Sequence, residues 1–213
     1  MELIDISIPL APARPVWPGD TPYSCGWTSR RENGSSVNLA HLHFSAHAGT
    51  HADAPLHVES AWGASETLPV SAFVGDAVVI ALPDAHAADH VIEVSQLQSL
   101  LVGVGPCARL LIRTGHSVAC GAFPDTWPVL DEGAAGWLVQ RGVRLLGVDA
   151  PSVDARESTL LPVHHTLFAA GGFVLENLAL DSIPPGTYEL LAQPMLVEGA
   201  DAAPVRALLR TRR

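Results

Sequence analysis

The sequence predicts an α/β fold with one mixed sheet system, and an α+β arrangement is the alternative. Two continuous apolar runs, residues 77–82 and 109–114, are typical of strands that are buried on both faces. Residues 94–102 and 131–142 instead carry apolar side chains at helical spacing. Glycine and proline separate these segments. Several buried strands with few helices therefore indicate a mixed architecture.

The first part of the chain is predicted to hold two strands separated by a long loop. Residues 3–8 alternate apolar and polar side chains, as expected for an opening strand. Prolines recur from Pro9 to Pro22 and impose an extended loop that contains Trp17. Residues 37–44 return to alternation and lead a second strand into a histidine-rich stretch. A tryptophan in such a loop either fills the core or offers an aromatic face to a ligand.

The rest of the chain is predicted to alternate strands and helices before closing on further strands. The predicted elements, in order, are strand 77–82, helix 94–102, strand 109–114, helix 131–142, strand 143–148, helix 161–170, strand 173–176, strand 188–193 and strand 205–209. Ser95 is predicted to cap the first helix, and Asp131 and Gly142 to begin and end the second. The arginine-rich residues 206–213 are predicted to form a solvated tail.

Length and composition favour a single domain over residues 1–213 with a sizeable core. The apolar content is 48% and the mean hydropathy is +0.25. A net charge of −10 argues against nucleic acid as a partner, because phosphate binding requires basic patches. Neither a signal peptide nor a membrane helix is apparent. Three cysteines form no paired framework. We therefore expect a cytoplasmic protein.

The densest concentration of metal-binding groups lies within residues 44–58. It contains His47, His51, Asp53 and His57. A fully extended chain would hold His47 and His51 about 13 Å apart at ~3.3 Å per residue, too far for one metal ion. The chain must therefore curl between them. Gly49 permits this because glycine enters backbone regions that are strained for other residues.

Imidazole and carboxylate groups together suit zinc, manganese or iron(II). Asp53 has two oxygens and can bridge two ions, while His164 and Glu176 supply further ligands near the end of the chain. A glutamate that closes an apolar strand also needs a partner for its charge. The stretch lacks the glutamate of the H-E-x-x-H motif, so a zincin is excluded. The sequence therefore predicts a metal-dependent hydrolase with ligands for one or two ions.

Other polar residues receive more ordinary interpretations. The side chains of His164 and His165 would point about 100° apart on a helix, so both are not expected to bind one ion. Asp149 and Asp154 follow a predicted strand and are candidates for orienting metal ligands. Turn formation is the alternative, and it is favoured for Asp154. Five histidines are interpreted as surface or core residues: His41, His43, His86, His90 and His116.

Four segments carry a resemblance to a known family. They are V-W-P-G-D at 16–20, H-A-G-T-H-A-D-A-P-L-H at 47–57, the pair His164-His165, and L-E-N-L at 175–178. In this order they resemble the bacterial kynurenine formamidases, which belong to the cyclase family of metal-dependent hydrolases. The likeness extends along almost the whole chain. The H-x-G-T-H-x-D-x-P-x-H segment is specific for the wider family. The early V-W-P-G-D segment and a late P-V-R-A segment at 204–207 narrow the resemblance towards the formamidases.

The resemblance implies a swivelling β/β/α fold, a homodimer, and hydrolysis of N-formyl-L-kynurenine to L-kynurenine and formate. It implies two Zn²⁺ ions per subunit, with Mn²⁺ as the alternative metal. By analogy, His47, His51 and Asp53 would hold the first ion. Asp53, His164 and Glu176 would hold the second, the histidine being chosen over His165 by its spacing to the glutamate. His57 would donate and accept protons, and Trp17 would contact the substrate. From the residues alone, a metal ligand or a structural group is the alternative for His57.

Three other functions remain open at the level of sequence. A hydrolase of the same family that opens a cyclic amide such as isatin would need similar ligands. A non-enzymatic metal-binding protein is the second, although a spare histidine beside the ligands favours catalysis. A carrier or lectin-like domain with a structural metal is the third. The chain has no G-x-S-x-G segment, which argues against a serine hydrolase of the α/β-hydrolase type.

Overall fold

The computed structural model describes residues 1–83 and 88–212, so His86 lies outside the described residues. The strands of this part of the chain are β1 Leu3–Asp5, β2 Ser24–Ser29, β3 Leu39–His43, β4 His51–Asp53, β5 Val74–Ala81, β6 Val91–Ile92, β7 Arg109–Arg113, β8 Val129–Leu130, β9 Leu145–Val148, β10 Phe173–Glu176, β11 Gly186–Leu191, β12 Ala202–Pro204 and β13 Leu208–Thr211. The α-helices are α1 Val94–Leu100, α2 Glu132–Gln140 and α3 Pro162–Ala169. Within the described ranges, no helix is long and apolar enough to cross a bilayer.

A nine-stranded mixed sheet forms the centre of the molecule. Its strand order is β1-β13-β11-β5-β7-β9-β10-β4-β12. The four central strands are parallel to one another and are β5, β7, β9 and β10. The strands on both sides of them pair in antiparallel fashion. The predicted mixed α/β architecture is confirmed. Strands β2 and β3 form a separate hairpin, and β6 pairs with β8.

Two apolar layers cover the two faces of the sheet. Alternate residues of β7 point to opposite faces, so that Leu110 packs with the layer beneath the helices and Leu111 with the opposite layer. The helices contribute fully buried side chains to the first layer, including Leu97, Leu138 and Leu167. Truncating one such leucine to alanine typically costs about 2–5 kcal/mol of stability. The sheet is therefore a rigid platform for its connecting loops.

Helix positions agree with the predictions better than helix ends do. Asp131 caps α2 as predicted, because its Oδ1 accepts a hydrogen bond from the Ala134 backbone N–H at 2.6 Å. The predicted cap of α1 at Ser95 is wrong. That helix begins at Val94 after Glu93, whose backbone carbonyl accepts hydrogen bonds from Gln96 and Leu97. Apolar spacing located the helix interior, but it does not identify the first residue.

The predicted solvated tail at residues 206–213 is also wrong for residues 208–211, and Arg213 lies outside the described residues. Residues Leu208–Thr211 form β13, which inserts between β1 and β11. Leu209 is fully buried, whereas Arg210 pairs through Nε with Glu189 Oε2 at 2.9 Å. The strand predicted at 205–209 overlaps only the start of β13. Two of the arginines pair with acidic residues of the neighbouring strands, Arg206 with Asp5 of β1 and Arg210 with Glu189 of β11.

The sheet brings the two polar halves of the sequence together. Strands β4 and β10 are antiparallel neighbours, and His51 lies directly opposite Glu176. Asp53 is two residues further along β4, so its side chain shares the face of His51. Helix α3 packs against β10 and carries His164. Residues more than a hundred positions apart thereby meet on one face of the sheet.

Candidate metal centre

A sharp turn at Gly49 brings His47 and His51 together. Gly49 has φ +67°, and a Cβ atom there would lie 2.9 Å from the carbonyl oxygen of Ile8. The two imidazole ring centroids are 5.0 Å apart, far less than an extended chain would allow. The predicted curl of the chain at Gly49 is confirmed. Thr50 fixes the turn because its Oγ1 accepts a hydrogen bond from the Ile8 backbone N–H at 2.7 Å.

Asp53 is the most central residue of the cluster, with only 1% of its surface exposed. Its Oδ1 lies 3.0 Å from His47 Nδ1 and 3.2 Å from His51 Nε2. Its Oδ2 lies 3.1 Å from His164 Nε2. Glu176 approaches from the opposite side, with Oε2 at 3.5 Å from His51 Nε2 and Oε1 at 3.4 Å from His164 Nε2. The structure therefore brings together all five residues that the sequence predicted as ligands.

In each of the three histidines, the ring nitrogen that faces away from the central carboxylates contacts an oxygen atom of another residue. His51 Nδ1 lies 2.9 Å from the Gly49 carbonyl oxygen. His47 Nε2 lies 2.9 Å from Asp201 Oδ2, and His164 Nδ1 lies 2.7 Å from Asp154 Oδ2. Acceptors of this kind fix the orientation and the tautomer of metal-binding imidazoles. The nitrogen left over on each ring is the one that faces the central carboxylates.

This arrangement requires positive charge between the imidazoles and the carboxylates. A neutral imidazole whose outer nitrogen donates would aim a lone pair at Asp53 or Glu176. His51 Nε2 and Asp53 Oδ1 are buried, and neither has a hydrogen-bond partner among the residues that the structure describes. Such buried orphan atoms are costly unless an ion satisfies them. The donor set therefore fits a metal cation.

In the metal-free protein, protons provide the positive charge. Burial lowers the pKa of His47, but Asp53 and Asp201 outweigh burial and raise the pKa to about 10. Burial also lowers the pKa of His51, but Asp53 outweighs burial and raises that pKa to about 9. Although burial favours the neutral acid, the same histidines hold the pKa of Asp53 well below its usual range. A divalent ion would displace these protons.

Among the described residues, two overlapping groups of side chains have ligand atoms close enough to one another to hold an ion. One comprises His47, Asp53 and His57, and the other comprises His51, Asp53 and Glu176, with ligand atoms within 4.8 Å of one another. Asp53 belongs to both groups, which is the position that a bridging carboxylate would occupy. His57 thus lies within ligand distance of His47 and Asp53.

His57 lies at the end of a short 3-10 helix, Pro55–His57, at the rim of the cluster. Its ring centroid is 4.4 Å from that of His47 and 5.9 Å from that of His164. Its Nδ1 lies 3.1 Å from Asp201 Oδ2. It is more exposed than the buried histidines and lines the cavity beside them. This position suits a group that exchanges protons with a substrate.

Asp201 is a residue of the site that sequence reasoning missed. It is 47% exposed, yet its Oδ2 contacts both His47 and His57. These contacts hold the pKa of the Asp201 carboxyl well below its usual range. The residue precedes β12, the neighbour of β4 in the sheet, and its backbone carbonyl accepts from Ala54 N–H at 2.9 Å. No local motif marks it, because its partners are distant in sequence.

Asp154 orients a candidate metal ligand and Asp149 orders a turn, which is the reverse of what the sequence favoured. Asp154 accepts from the His164 ring and from the backbone N–H of both Val163 and His164. The turn role favoured for Asp154 is therefore wrong. Asp149 accepts from the backbone N–H of Thr114 at 2.8 Å and orders a turn instead, so its candidacy for orienting a ligand is also wrong. The residues of α3 that contact Asp154 lie nine and ten positions after it, and no motif in the sequence indicates this contact.

The other histidines that the structure describes lie outside the cluster. His165 points away from His164, and its ring packs 5.6 Å from the Trp62 ring. His41 and His43 are exposed on β3, in the hairpin. His90 Nε2 lies 2.7 Å from Gln96 Oε1. His116 is partly buried. Their interpretation as ordinary surface or core residues agrees with these positions.

A cavity of about 390 Å³ opens onto the cluster. Pockets of this size accommodate small organic molecules. Trp17 lies in its wall, with ring centroids 5.4 Å from Phe123 and 5.8 Å from Trp127, both edge-on. The cavity is lined on the polar side by His47, His51, His57, His164 and Glu176. The predicted substrate contact of Trp17 is thus sterically available.

The Cyclase family model matches residues 4–155. A kynurenine formamidase of Salinibacter ruber (strain DSM 13855 / M31) is 43% identical over 99% of this chain and 98% of its own length. Two solved structures share the fold. One is described as a predicted metal-dependent hydrolase from Bacillus stearothermophilus, with 29% identity, a TM-score of 0.81 and coverage of 98% and 97%. The other is isatin hydrolase A from Ralstonia solanacearum, with 26% identity, a TM-score of 0.83 and coverage of 98% and 91%.

Proposed function

The chain belongs to the Cyclase family, and on that premise we propose that it is a kynurenine formamidase. It hydrolyses N-formyl-L-kynurenine to L-kynurenine and formate, a step of tryptophan degradation. The observation that carries the proposal is the buried cluster of Asp53, Glu176 and three histidines beside a cavity with an aromatic wall. The 43% identity to a kynurenine formamidase over nearly the full length supports the choice of substrate.

Zn²⁺ is the proposed cofactor, with two ions per subunit and Mn²⁺ as the alternative. His47, His51 and Asp53 would hold one ion, and Asp53, His164 and Glu176 the other. The orphaned buried atoms of His51 and Asp53 support a cation beside these two residues, and the division of the ligands between two ions follows the family resemblance. Bound divalent ions supply Lewis acidity, which polarises a carbonyl group and makes water a usable nucleophile near neutral pH. The chain supplies ligand orientation through Asp154, Asp201 and the Gly49 carbonyl.

The reaction adds water to the formyl carbon and breaks the bond from that carbon to the aryl nitrogen. The nitrogen must gain a proton as it leaves, because without that proton it would leave as an anilide anion, which is a poor leaving group. His57 is the proposed carrier, accepting a proton from water and delivering it to the nitrogen. Its Nδ1 is occupied by Asp201, which leaves Nε2 as the nitrogen that exchanges protons. Trp17 packs against the aryl ring of the substrate.

The remaining features follow from the same resemblance. We propose that the protein is a cytoplasmic homodimer and that each subunit is one domain spanning residues 1–213. A small molecule is its partner, and neither nucleic acid nor a membrane is expected to bind. A dimer would be tested by light scattering of the purified protein, and a monomer at micromolar concentration would contradict this part of the proposal.

A cyclic-amide hydrolase of the isatin type is the second candidate function. The structural likeness to isatin hydrolase A favours it, since the two chains share the fold over nearly their whole length. The chemistry at the cluster would be similar, so the choice depends on the cavity and not on the ligands.

Turnover of N-formyl-L-kynurenine decides between these functions. The protein is purified without chelator, and the absorbance of kynurenine is followed before and after metal removal. We expect turnover that chelation abolishes and that zinc restores, with manganese compared in parallel. Fully metallated protein that leaves the formamide intact would contradict the formamidase function. Isatin assayed under the same conditions would then test the second candidate.

A further inference from the structure

Arg156 places a positive charge on the wall of the cavity. It is the one lysine or arginine among the described residues that line this space, and its side chain is 27% exposed. Its guanidinium carbon lies 5.8 Å from the centroid of the Phe123 ring. The same cavity is lined by His47 and His57 of the candidate metal centre. A molecule that reaches the metal centre therefore also lies in the space that Arg156 borders.

Arg156 belongs to a wall that combines both signs of charge with aromatic surface. Phe123, beneath the guanidinium, packs edge-on against Trp17 with ring centroids 5.4 Å apart. The backbone N–H of Asp20 donates to the Trp17 carbonyl oxygen at 2.9 Å, and Asp20 also lines the cavity. Contacts between side chains thus link the cation to two aromatic rings, and the backbone bond places Asp20 beside them, with its Oδ1 accepting from the Thr21 backbone N–H at 2.7 Å.

The groups of this wall match one end of the proposed substrate. N-Formyl-L-kynurenine carries its formamide on an aryl ring, whereas the far end of its ketone side chain bears an ammonium and a carboxylate. The formamide must reach the metal centre, so the amino-acid end must lie against another part of the cavity. Isatin has no charged group, and its binding would leave Arg156 and Asp20 without a role.

The existing partners of Arg156 do not prevent it from binding a ligand. Its Nη1 lies 3.0 Å from Asp125 Oδ1, on a side chain that is 97% exposed. Its Nε lies 3.9 Å from Glu157 Oε1, which is also highly exposed. Ion pairs between exposed side chains contribute little and exchange readily with water or ligands. A guanidinium has five N–H donors in a planar fork that matches a carboxylate.

We propose that Arg156 binds the α-carboxylate of the substrate and selects aryl formamides that carry an amino acid over uncharged ones. Asp20 is the matching site for the ammonium group. This inference rests on the proposed formamidase function, because it assigns the part of the substrate that does not react. It makes Arg156 a determinant of substrate choice, separate from the residues that would hold metal or move protons.

The test compares two substrates on three variants. N-Formyl-L-kynurenine is compared with 2′-formamidoacetophenone, which keeps the ring, the ketone and the formamide but lacks the amino acid. We expect Arg156→Gln to lower the preference for the amino-acid substrate, as the ratio of the two kcat/KM values, by about 10- to 100-fold. The loss should fall mainly on KM. Arg156→Lys should be intermediate, since it keeps the charge but not the fork.

Asp125→Asn is the matched control, because it removes the ion-pair partner of Arg156 and leaves the guanidinium in place. We expect its preference to equal or exceed that of the wild type. An Arg156→Gln enzyme with the wild-type ratio of kcat/KM values would overturn the assignment of Arg156 and leave the formamidase function intact. Wild-type protein that does not hydrolyse N-formyl-L-kynurenine would overturn the proposed function, and the assignment of Arg156 with it.

Discussion

Oδ2 of Asp201 lies 3.1 Å from Nδ1 of His57, although the two residues are 144 positions apart in the chain. The same oxygen lies 2.9 Å from Nε2 of His47. One carboxylate thus orients both a proposed metal ligand and the proposed proton carrier. Its position before β12 is set by the pairing of β12 with β4, the strand that carries His51 and Asp53. The sheet therefore determines the geometry of His57 relative to His47 and Asp53.

Replacing Asp201 tests this orienting role. We expect Asp201→Asn to lower kcat by about 10- to 100-fold with a smaller change in KM, the range typical of residues that orient metal ligands. Glu198→Gln is the matched control, because it removes the same charge from an exposed position in the same loop. Steady-state kinetics and metal content are measured on both. An Asp201→Asn enzyme with the kcat of the wild type would refute the role.

Metal ligands and the proton carrier should respond differently to truncation. His51→Ala removes a buried group that contacts Asp53 and Glu176, so metal and activity should be lost together. His57→Ala removes a more exposed group at the rim, so metal should remain while turnover falls by at least about 100-fold. Elemental analysis of the purified variants checks both expectations. Metal-free His57→Ala protein would contradict the assignment.

The adjacent histidines of α3 provide a second contrast. His164 faces Asp53 and Glu176, whereas His165 packs against Trp62. We expect His164→Ala to lose at least one ion per subunit and His165→Ala to retain the wild-type metal content. Both substitutions remove one imidazole from the same helix, so helix propensity is matched. Equal metal loss in the two variants would show that α3 as a whole, and not His164, is required.

The turn at Gly49 should tolerate no side chain. Gly49→Ala would combine a left-handed backbone with a Cβ 2.9 Å from the Ile8 carbonyl oxygen. We expect a loss of at least about 2 kcal/mol in the free energy of unfolding, together with weaker metal binding. Gly34→Ala has a similar φ of +85° but no atom within 4 Å of the Cβ, so it should lose only about 1 kcal/mol. Urea unfolding curves compare the two, and equal losses would mean that the contact with Ile8 is unimportant.

Metal removal should destabilise the fold. Ions present at about 1,000 times their Kd stabilise a protein by about 4 kcal/mol, which corresponds to roughly 10 °C in Tm for a chain of this size. Chelation should therefore lower Tm by this order, and zinc should restore it. In Asp53→Asn the same treatment should change Tm little, because the central ligand is weakened. Differential scanning calorimetry measures the shift, and an unchanged wild-type Tm would argue against a tightly bound ion.

The parts of the site that could be predicted are those encoded locally. His47, His51 and Asp53 lie close together in the sequence, and the glycine between them reveals the turn that their convergence requires. Asp201 and Asp154 could not be predicted as orienting groups. Their contacts depend on sheet order and on the docking of α3, and neither leaves a periodic signal.

The same distinction applies to the fold. Strands β7 and β10 were evident because they are buried apolar runs, and β10 was predicted with its observed ends. The short strands β6, β8 and β12 have too few residues to show alternation, so only their partners define them. The last strand was predicted at residues 205–209, which overlaps β13 only at Leu208 and Leu209, because Arg210 interrupts the apolar run. The charge of Arg210 is accommodated by Glu189, on a strand that the local sequence does not identify as a neighbour.

The insertion of β13 between β1 and β11 has a consequence for synthesis on the ribosome. Leu3 pairs with Arg210, so the first strand to be made waits for a partner made some two hundred residues later. At about 5–20 residues per second, this interval lasts roughly 10–40 s. During it, β1 has no partner strand, and the edge of β11 that pairs with β13 is open for the last roughly 1–3 s. Conditions that slow translation between β11 and β13 should therefore favour aggregation over native folding.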